Sequence, residues 1–205
     1  MPPKRTIDYV GVNDVVVRTT GGESEVVTIG LTCASDGSRM LPLVIFKGDR
    51  VLGERLSREA THLGIRVNVC CQENAWMNEE IMLNEYIAPY FPSTQTPKLL
   101  IMDSFRAHIT ENTKSAFKHL EVDIAVIPGG YTGQLQPLDV GIIKPFKDRL
   151  RRLWCVWMRR NIASHNETRK PGYMDVCQWV ETAWYDMDDS IIVNSFKKVL
   201  KKRKI

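Results

Sequence analysis

The chain lacks any paired-cysteine pattern. Its five cysteines, Cys33, Cys70, Cys71, Cys155 and Cys177, are odd in number, and none stands at Cys-x-x-Cys spacing. This excludes a disulfide framework and reads as reduced thiols in a cytosolic or nuclear protein. His62, His119 and His165 lie far apart with no cysteine at ligand spacing, so no zinc centre is expected. Long hydrophobic runs are missing too: no segment approaches the roughly 20 apolar residues that span a bilayer. Met1 is followed by Pro2-Pro3-Lys4-Arg5 rather than by the apolar core of a signal peptide. The chain reads as neither secreted nor membrane-embedded. It shows no internal repeat and no low-complexity tract, and 205 residues with 43% hydrophobic content suffice for a core of their own.

What is present falls into two patterns. Residues 15–18 read as a short strand, Gly21-Gly22 as a turn, and residues 25–34 as a longer strand that Asp36-Gly37 turns back into residues 40–47. A charged stretch around residues 54–59 follows, and then residues 65–70 alternate as a strand. Asn78 with Glu79 and Glu80 opens a helix carrying Ile81, Met82, Tyr86 and Ile87, which Pro92 and Pro97 punctuate. From residue 99 the order becomes strand (99–102), helix (110–120), strand (122–127), which implies a parallel pair with a right-handed crossover. Pro145 is either the first-turn proline of a long helix or a kink near its start. Val176, Trp179, Val180, Ala183 and Trp184 repeat at helical spacing and must face a core. Ser190 is expected to cap a last helix bearing Ile192, Phe196 and Val199.

Two aspartates carry the chemistry in this pattern. Asp103 ends one strand of the parallel pair, and Asp139 follows the exit loop of the other, residues 128–137. Neighbouring parallel strands bring both acids to one sheet end, as two-metal phosphoryl-transfer enzymes do to present oxygen to Mg²⁺. Aspartates at loop starts also serve as turn formers and helix caps. His108 suits orienting a nucleophile or contacting phosphate, and equally a packing or capping role. The net charge of +4 arises chiefly in the C-terminal half, where Lys144, Lys147, Arg149, Arg151 and Arg152 crowd one stretch among Phe146, Trp154 and Trp157. Such a helix can lay a basic face along a phosphate backbone while its aromatics pack inward, or simply keep a solvated face. The terminal Lys201-Lys202-Arg203-Lys204 run is either a nuclear-import signal or a solvated tail.

The strings Leu100-Ile101-Met102-Asp103-Ser104-Phe105-Arg106-Ala107-His108, Val126-Ile127-Pro128-Gly129-Gly130 and Gln134-Leu135-Gln136-Pro137-Leu138-Asp139-Val140-Gly141, with Pro145-Phe146-Lys147, resemble the DDE endonuclease domain of pogo and Tigger-type transposases and their domesticated descendants. The likeness extends upstream through Val17-Arg18-Thr19-Thr20-Gly21 and thins after about Asn194. The resemblance implies an α/β, ribonuclease-H-like fold, a mixed sheet flanked by helices, in which three carboxylates hold two divalent ions, Mg²⁺ or Mn²⁺. Asp103 matches the second acid and Asp139 the third. The first belongs to an Asp-Glu-Thr-like motif on the opening, central strand; the chain starts past that motif, and neither Asp8 nor Asp14 is expected to replace it. The expectation is therefore an N-terminally truncated endonuclease-like domain over residues 1–167, with a helical segment, 168–205, packing on it. It is expected to bind DNA without sequence preference and to act in the nucleus, with catalysis lost. The alternative is a non-enzymatic nuclear scaffold. Whether it forms a homo-oligomer is open.

Overall fold

The computed structural model describes residues 26–91, 98–165 and 170–201. The expected strand at 15–18, the Gly21-Gly22 turn, Asp8, Asp14, Pro92, Pro97 and the end of the basic tail lie outside them.

The first sheet holds β1 (Thr28–Gly30), β2 (Leu43–Lys47) and β3 (Asn68–Gln72) in that order, with β1 antiparallel to β2 and β3 parallel to it. The turn between β1 and β2 is the expected one. Gly37 adopts φ +98° and the Asp36 carboxylate accepts from Ser38 N at 2.9 Å. The ladder of β1 is only three residues, with one further bridge pairing Cys33 and Arg39. The second sheet is the parallel pair β4 (Lys98–Asp103) and β5 (Val122–Ile127), in register from Lys98 opposite Val122 to Asp103 opposite Ile127. One mixed sheet was expected; among the described residues the five strands divide into these two sheets.

The charged stretch at 54–59 is in fact helical: α1 spans Arg50–His62. Asp49 caps it by accepting from Leu52 N at 2.8 Å, and Leu52, Leu56 and Ala60 form its inward stripe. It closes in a Schellman turn, with Ile65 N donating to Ala60 O (2.9 Å), Gly64 N donating to Thr61 O (3.1 Å) and Gly64 at φ +68°. Ile65 is thus part of a helix cap, and the strand starts three residues later than its alternation predicts. α1 lies close over β3, because a Cβ on Gly53 would stand 2.8 Å from Cys71 N.

Asn78 caps the next helix as expected, accepting from Ile81 N at 2.8 Å. That helix runs as α2 (Glu79–Ile81), a π-helical stretch Met82–Ile87 and α3 (Ala88–Tyr90). It joins the two sheets: Ile81 packs with Leu43, Ile45 and Cys70 of the first, Met82 and Ile87 pack with Met102, Phe117 and Val122 around the second, and Tyr86 touches both clusters. A 3₁₀ turn (Arg106–His108) and α4 (Glu111–His119), capped by Thr110, make the crossover from β4 to β5.

After β5 come α5 (Thr132–Leu135), a π-helical turn (Leu138–Ile142), α6 (Ile143–His165), α7 (Tyr173–Tyr185) and α8 (Asp189–Lys201). Pro145 sits in the first turn of α6, directly after the π-helical turn that runs into it. The α7 stripe is buried as expected through Val180, Ala183 and Trp184, with Cys177 alongside. These pack with Val44, Phe46, Val69, Ile142, Phe146 and Ile192 in the main core. The cap of α8 is Asp188, which accepts from Ser190 N at 2.7 Å; Ser190 stands one turn position inside. Trp184 Nε1 donates to Met40 O (3.0 Å), and Arg39 bonds both Asp189 and Met187 O, tying the β1–β2 hairpin to the α7–α8 turn.

Candidate active site

Parallel pairing puts the exits of β4 and β5 on the same side of their sheet. Asp103 is the last residue of β4, so the hydrogen-bonded ladder sets its position. Its Oδ1 accepts from Phe105 N (3.1 Å) and contacts His108 Nδ1 (2.8 Å). The imidazole therefore presents Nδ1–H to the carboxylate and is held edge-on to the Phe105 ring, centroids 5.4 Å apart. Oδ1 is occupied by these two donors, which turns the remaining acceptor capacity of Asp103 to Oδ2.

Asp139 is delivered differently. It lies in the π-helical turn that precedes α6, exposed at the mouth of the site. Its carboxyl is raised above the ordinary carboxylate value, first by loss of hydration and then by the charge of Asp103, while Lys147 pulls it the other way. The two aspartates are thus close enough to repel each other, and Lys147 reaches the same field. The sequence places Lys147 on a nucleic-acid face; in the fold it is also the cation beside Asp139.

The remaining basic residues divide. Winding at about 100° per residue places Lys144, Lys147 and Arg151 within roughly 60° of one another, Arg152 about 80° from Lys144, and Arg149 about 140° away. Phe146 is buried on the opposite side and Trp157 meets Trp179 edge-to-face at 5.7 Å, so these two aromatics pack inward, whereas the same winding puts the half-buried Trp154 beside Lys147 and Arg151. Arg151 is paired to Asp148 at 3.0 Å. The Asp188 carboxyl is lowered chiefly by hydrogen bonds from Ser190, with smaller help from the charges of Arg39 and Arg149.

Two residues that sequence reasoning passed over fix Asp139. Gly141 faces Ser195 of α8 so closely that a Cβ there would stand 2.2 Å from Ser195 Oγ and 3.3 Å from its Cβ. Ser195 is 2% exposed and donates to Ile191 O at 2.7 Å. The only hint in the sequence is a glycine one turn before a long helix, where a better helix former would be expected.

The donor set suits a hard cation: two carboxylates, no thiolate, and an imidazole whose Nδ1 is committed to Asp103. Among the described residues no group of three or more His, Cys, Asp or Glu side chains converges. Two carboxylates are oxygen donors of the kind a hard divalent cation takes, and such an ion would fill its remaining positions from water or phosphate.

Residues 24–196 match the sequence model of the DDE superfamily endonuclease family. The chain belongs to this family. Over 205 residues this DDE chain is 29% identical to the human (Homo sapiens) protein named Pogo transposable element with KRAB domain, a match covering 97% of this chain and 32% of that protein. The mouse (Mus musculus) protein of the same name is 28% identical, covering 97% and 33%. The DDE chain therefore spans about a third of the length of these relatives. The crystal structure of the catalytic domain of Mos1 mariner transposase superposes with a TM-score of 0.45 at 13% identity, over 85% of this chain and 69% of that one.

Substituting Gly141→Ala trades a helix-propensity gain of up to about 1 kcal/mol against overpacking onto Ser195, which costs about 1–3 kcal/mol. Urea unfolding is expected to show net destabilisation. Adding Ser195→Ala should recover part of it, giving a coupling energy of at least about 0.5 kcal/mol in the double-mutant cycle. Strict additivity would mean that the two residues do not set this contact.

Proposed function

We propose that this chain is a transposase-derived, ribonuclease-H-like DDE domain that binds DNA through the phosphate backbone and holds a single divalent ion weakly between Asp103 and Asp139, without cleaving DNA on its own. The observation supporting this reading is that the turn bearing Asp139 stands near enough to Asp103, at the exit of β4, for Asp139 to feel its charge, in a chain of the DDE family. His108 acts as a positioning residue, since its Nδ1–H fixes the Asp103 carboxylate. A bound Mg²⁺ or Mn²⁺ would supply Lewis acidity toward a phosphoryl oxygen. The chain's own residues hold that phosphate in reach: Lys147 beside Asp139, with Lys144, Arg151 and Arg152 continuing the basic strip along α6. In-line displacement with two metals needs both ions placed against the scissile phosphate, and two carboxylates with one oxygen already committed do not supply that coordination. The nucleus is the compartment in which such a domain meets DNA.

Metal binding is tested by thermal unfolding. Mn²⁺ is expected to raise Tm, because a ligand that binds only the native state stabilises it by mass action. Asp139→Asn should remove the gain. Absence of any shift in the unsubstituted chain would leave the non-enzymatic scaffold as the better reading.

DNA affinity should fall with salt at a log–log slope of about −3 to −4, one counterion term for each cation of the α6 strip. Unrelated duplexes should bind alike. Replacing Lys144 and Arg152 together by Ala should reduce the slope by about two, whereas Arg149→Ala should change it little. Affinity that barely responds to salt would refute backbone binding.

Purified chain incubated with supercoiled plasmid and Mn²⁺ should leave the plasmid intact. Nicking that disappears in Asp103→Ala would show that the centre is complete in this chain.

A further inference from the structure

Four aromatic side chains are exposed among the described residues, and two of them stand on the loops that leave β4 and β5. Phe105, two residues past Asp103, is 40% exposed, and Tyr131, four residues past the end of β5, is 55% exposed. The two loops run side by side. A Cβ on Gly129 would stand 3.9 Å from Ser104 Oγ, so Phe105 is one residue and Tyr131 two residues from the place where the loops meet.

Backbone hydrogen bonds fix both residues. Phe105 N donates to Asp103 Oδ1 at 3.1 Å, the oxygen that also holds His108 Nδ1, and the phenyl ring meets the imidazole at 68° with centroids 5.4 Å apart. One carboxylate thus orients the histidine and the phenylalanine together. On the other loop Tyr131 N donates to Pro128 O at 3.2 Å, with Gly130 at φ +86°, as a type II turn requires at its third residue. Tyr131 O then accepts from Gln134 N (3.0 Å) and Leu135 N (2.9 Å), which starts α5. Two backbones fixed in advance lose little further freedom when a flat ligand settles on their rings.

The cations beside the rings select the ligand. Arg106 follows Phe105 and is exposed, and the exposed Lys147 stands beside Asp139. Aromatic rings interspersed with cations suit a polymer that alternates flat bases with phosphates, and stacking tolerates any sequence because every base has a π-face. In a duplex those faces are covered by neighbouring bases, so an unpaired nucleotide is what these rings can hold. We infer that the exit loops of β4 and β5 bind single-stranded DNA, with bases stacked on Phe105 and Tyr131 and phosphates held by Arg106 and Lys147. The inference rests on the proposed DNA binding and adds to it a preference for unpaired strands, which phosphate contacts along α6 do not produce by themselves.

The probes are a fluorescent oligothymidylate, a blunt duplex of the same length, and a strand of that length in which abasic sites replace the bases while every phosphate is kept. Each is titrated with the full chain at one salt concentration and followed by anisotropy. Oligothymidylate is expected to bind at least about tenfold more tightly than the abasic strand. Phe105→Ala and Tyr131→Ala should each weaken oligothymidylate binding by about fivefold or more, while duplex affinity, set by phosphate contacts, changes by less than about twofold. Phe105→Trp should keep the strand preference. Trp76→Ala, which removes a 62% exposed ring in the turn after β3, should leave all three affinities unchanged. Equal binding of the abasic strand would reduce the effect to charge attraction and overturn the inference, as would oligothymidylate binding that survives both alanine substitutions or falls equally in Trp76→Ala. Salt-dependent duplex binding alongside any of those results would leave the backbone reading standing; failure of every DNA to bind would remove that reading and the inference with it. The comparison of oligothymidylate with the abasic strand uses the unsubstituted protein, so a variant that fails to fold does not affect it.

Discussion

The second half of the candidate site rests on the close approach of Gly141 to Ser195. Asp103 needs no such support, because the β4–β5 ladder carries it to the sheet end. Asp139 sits on a turn outside any ladder, and what holds that turn is α8, reached through the missing side chain at 141. α8 is in turn fixed by Ile192 in the main core and by Arg39, whose bonds to Asp189 and Met187 O secure the α7–α8 corner. The two aspartates therefore belong to different apolar clusters, one around Met102 and Phe117, the other around Ile142, Phe146 and Trp184. The candidate site is a seam between them, across which the charge of Asp103 helps to raise the Asp139 carboxyl.

The same α6 that begins behind Asp139 sets how positive charge is distributed. Its inward stripe is spent on packing Phe146, Leu150 and Leu153 against the core, which turns Lys144, Arg151 and Arg152 outward. The pairing of Arg151 with Asp148 is a surface contact, worth about 0–1 kcal/mol and weakened by salt. It is readily exchanged for a phosphate. Between α1 and the segment 79–87 the balance is of the opposite sign, with Asp49, Glu54, Glu73, Glu80 and Glu85 against Arg50 and Arg58.

Much of the second sheet was legible because β4, α4 and β5 each satisfy a local rule: an apolar run, a threonine cap, an apolar run. The hairpin at Asp36-Gly37 was legible for the same reason. α1 was not, since its apolar residues are only Val51, Leu52, Leu56 and Ala60 among many charges, although Asp49 before it and Gly64 after it are both capping signals. Ser190 was read as a cap because a hydroxyl before an apolar run fits that role. Asp188 instead accepts the Ser190 amide, so the helix begins ahead of the serine and Ser190 lies inside its first turn.

By itself the sequence determined which residues are chemically capable here: one acid ending a strand and a second beyond the exit loop of the next, a histidine five residues past the first, and a basic helix interleaved with aromatics. These follow from periodicity and from motif spacing, which act along the chain. Only the tertiary structure decided which of them meet. It brought Asp139 within the field of Asp103 and set Gly141, in the turn that bears Asp139, against Ser195 of α8. Each of those outcomes depends on contacts between residues far apart in sequence, where distance, loss of hydration and steric fit at a single glycine outweigh any preference written locally.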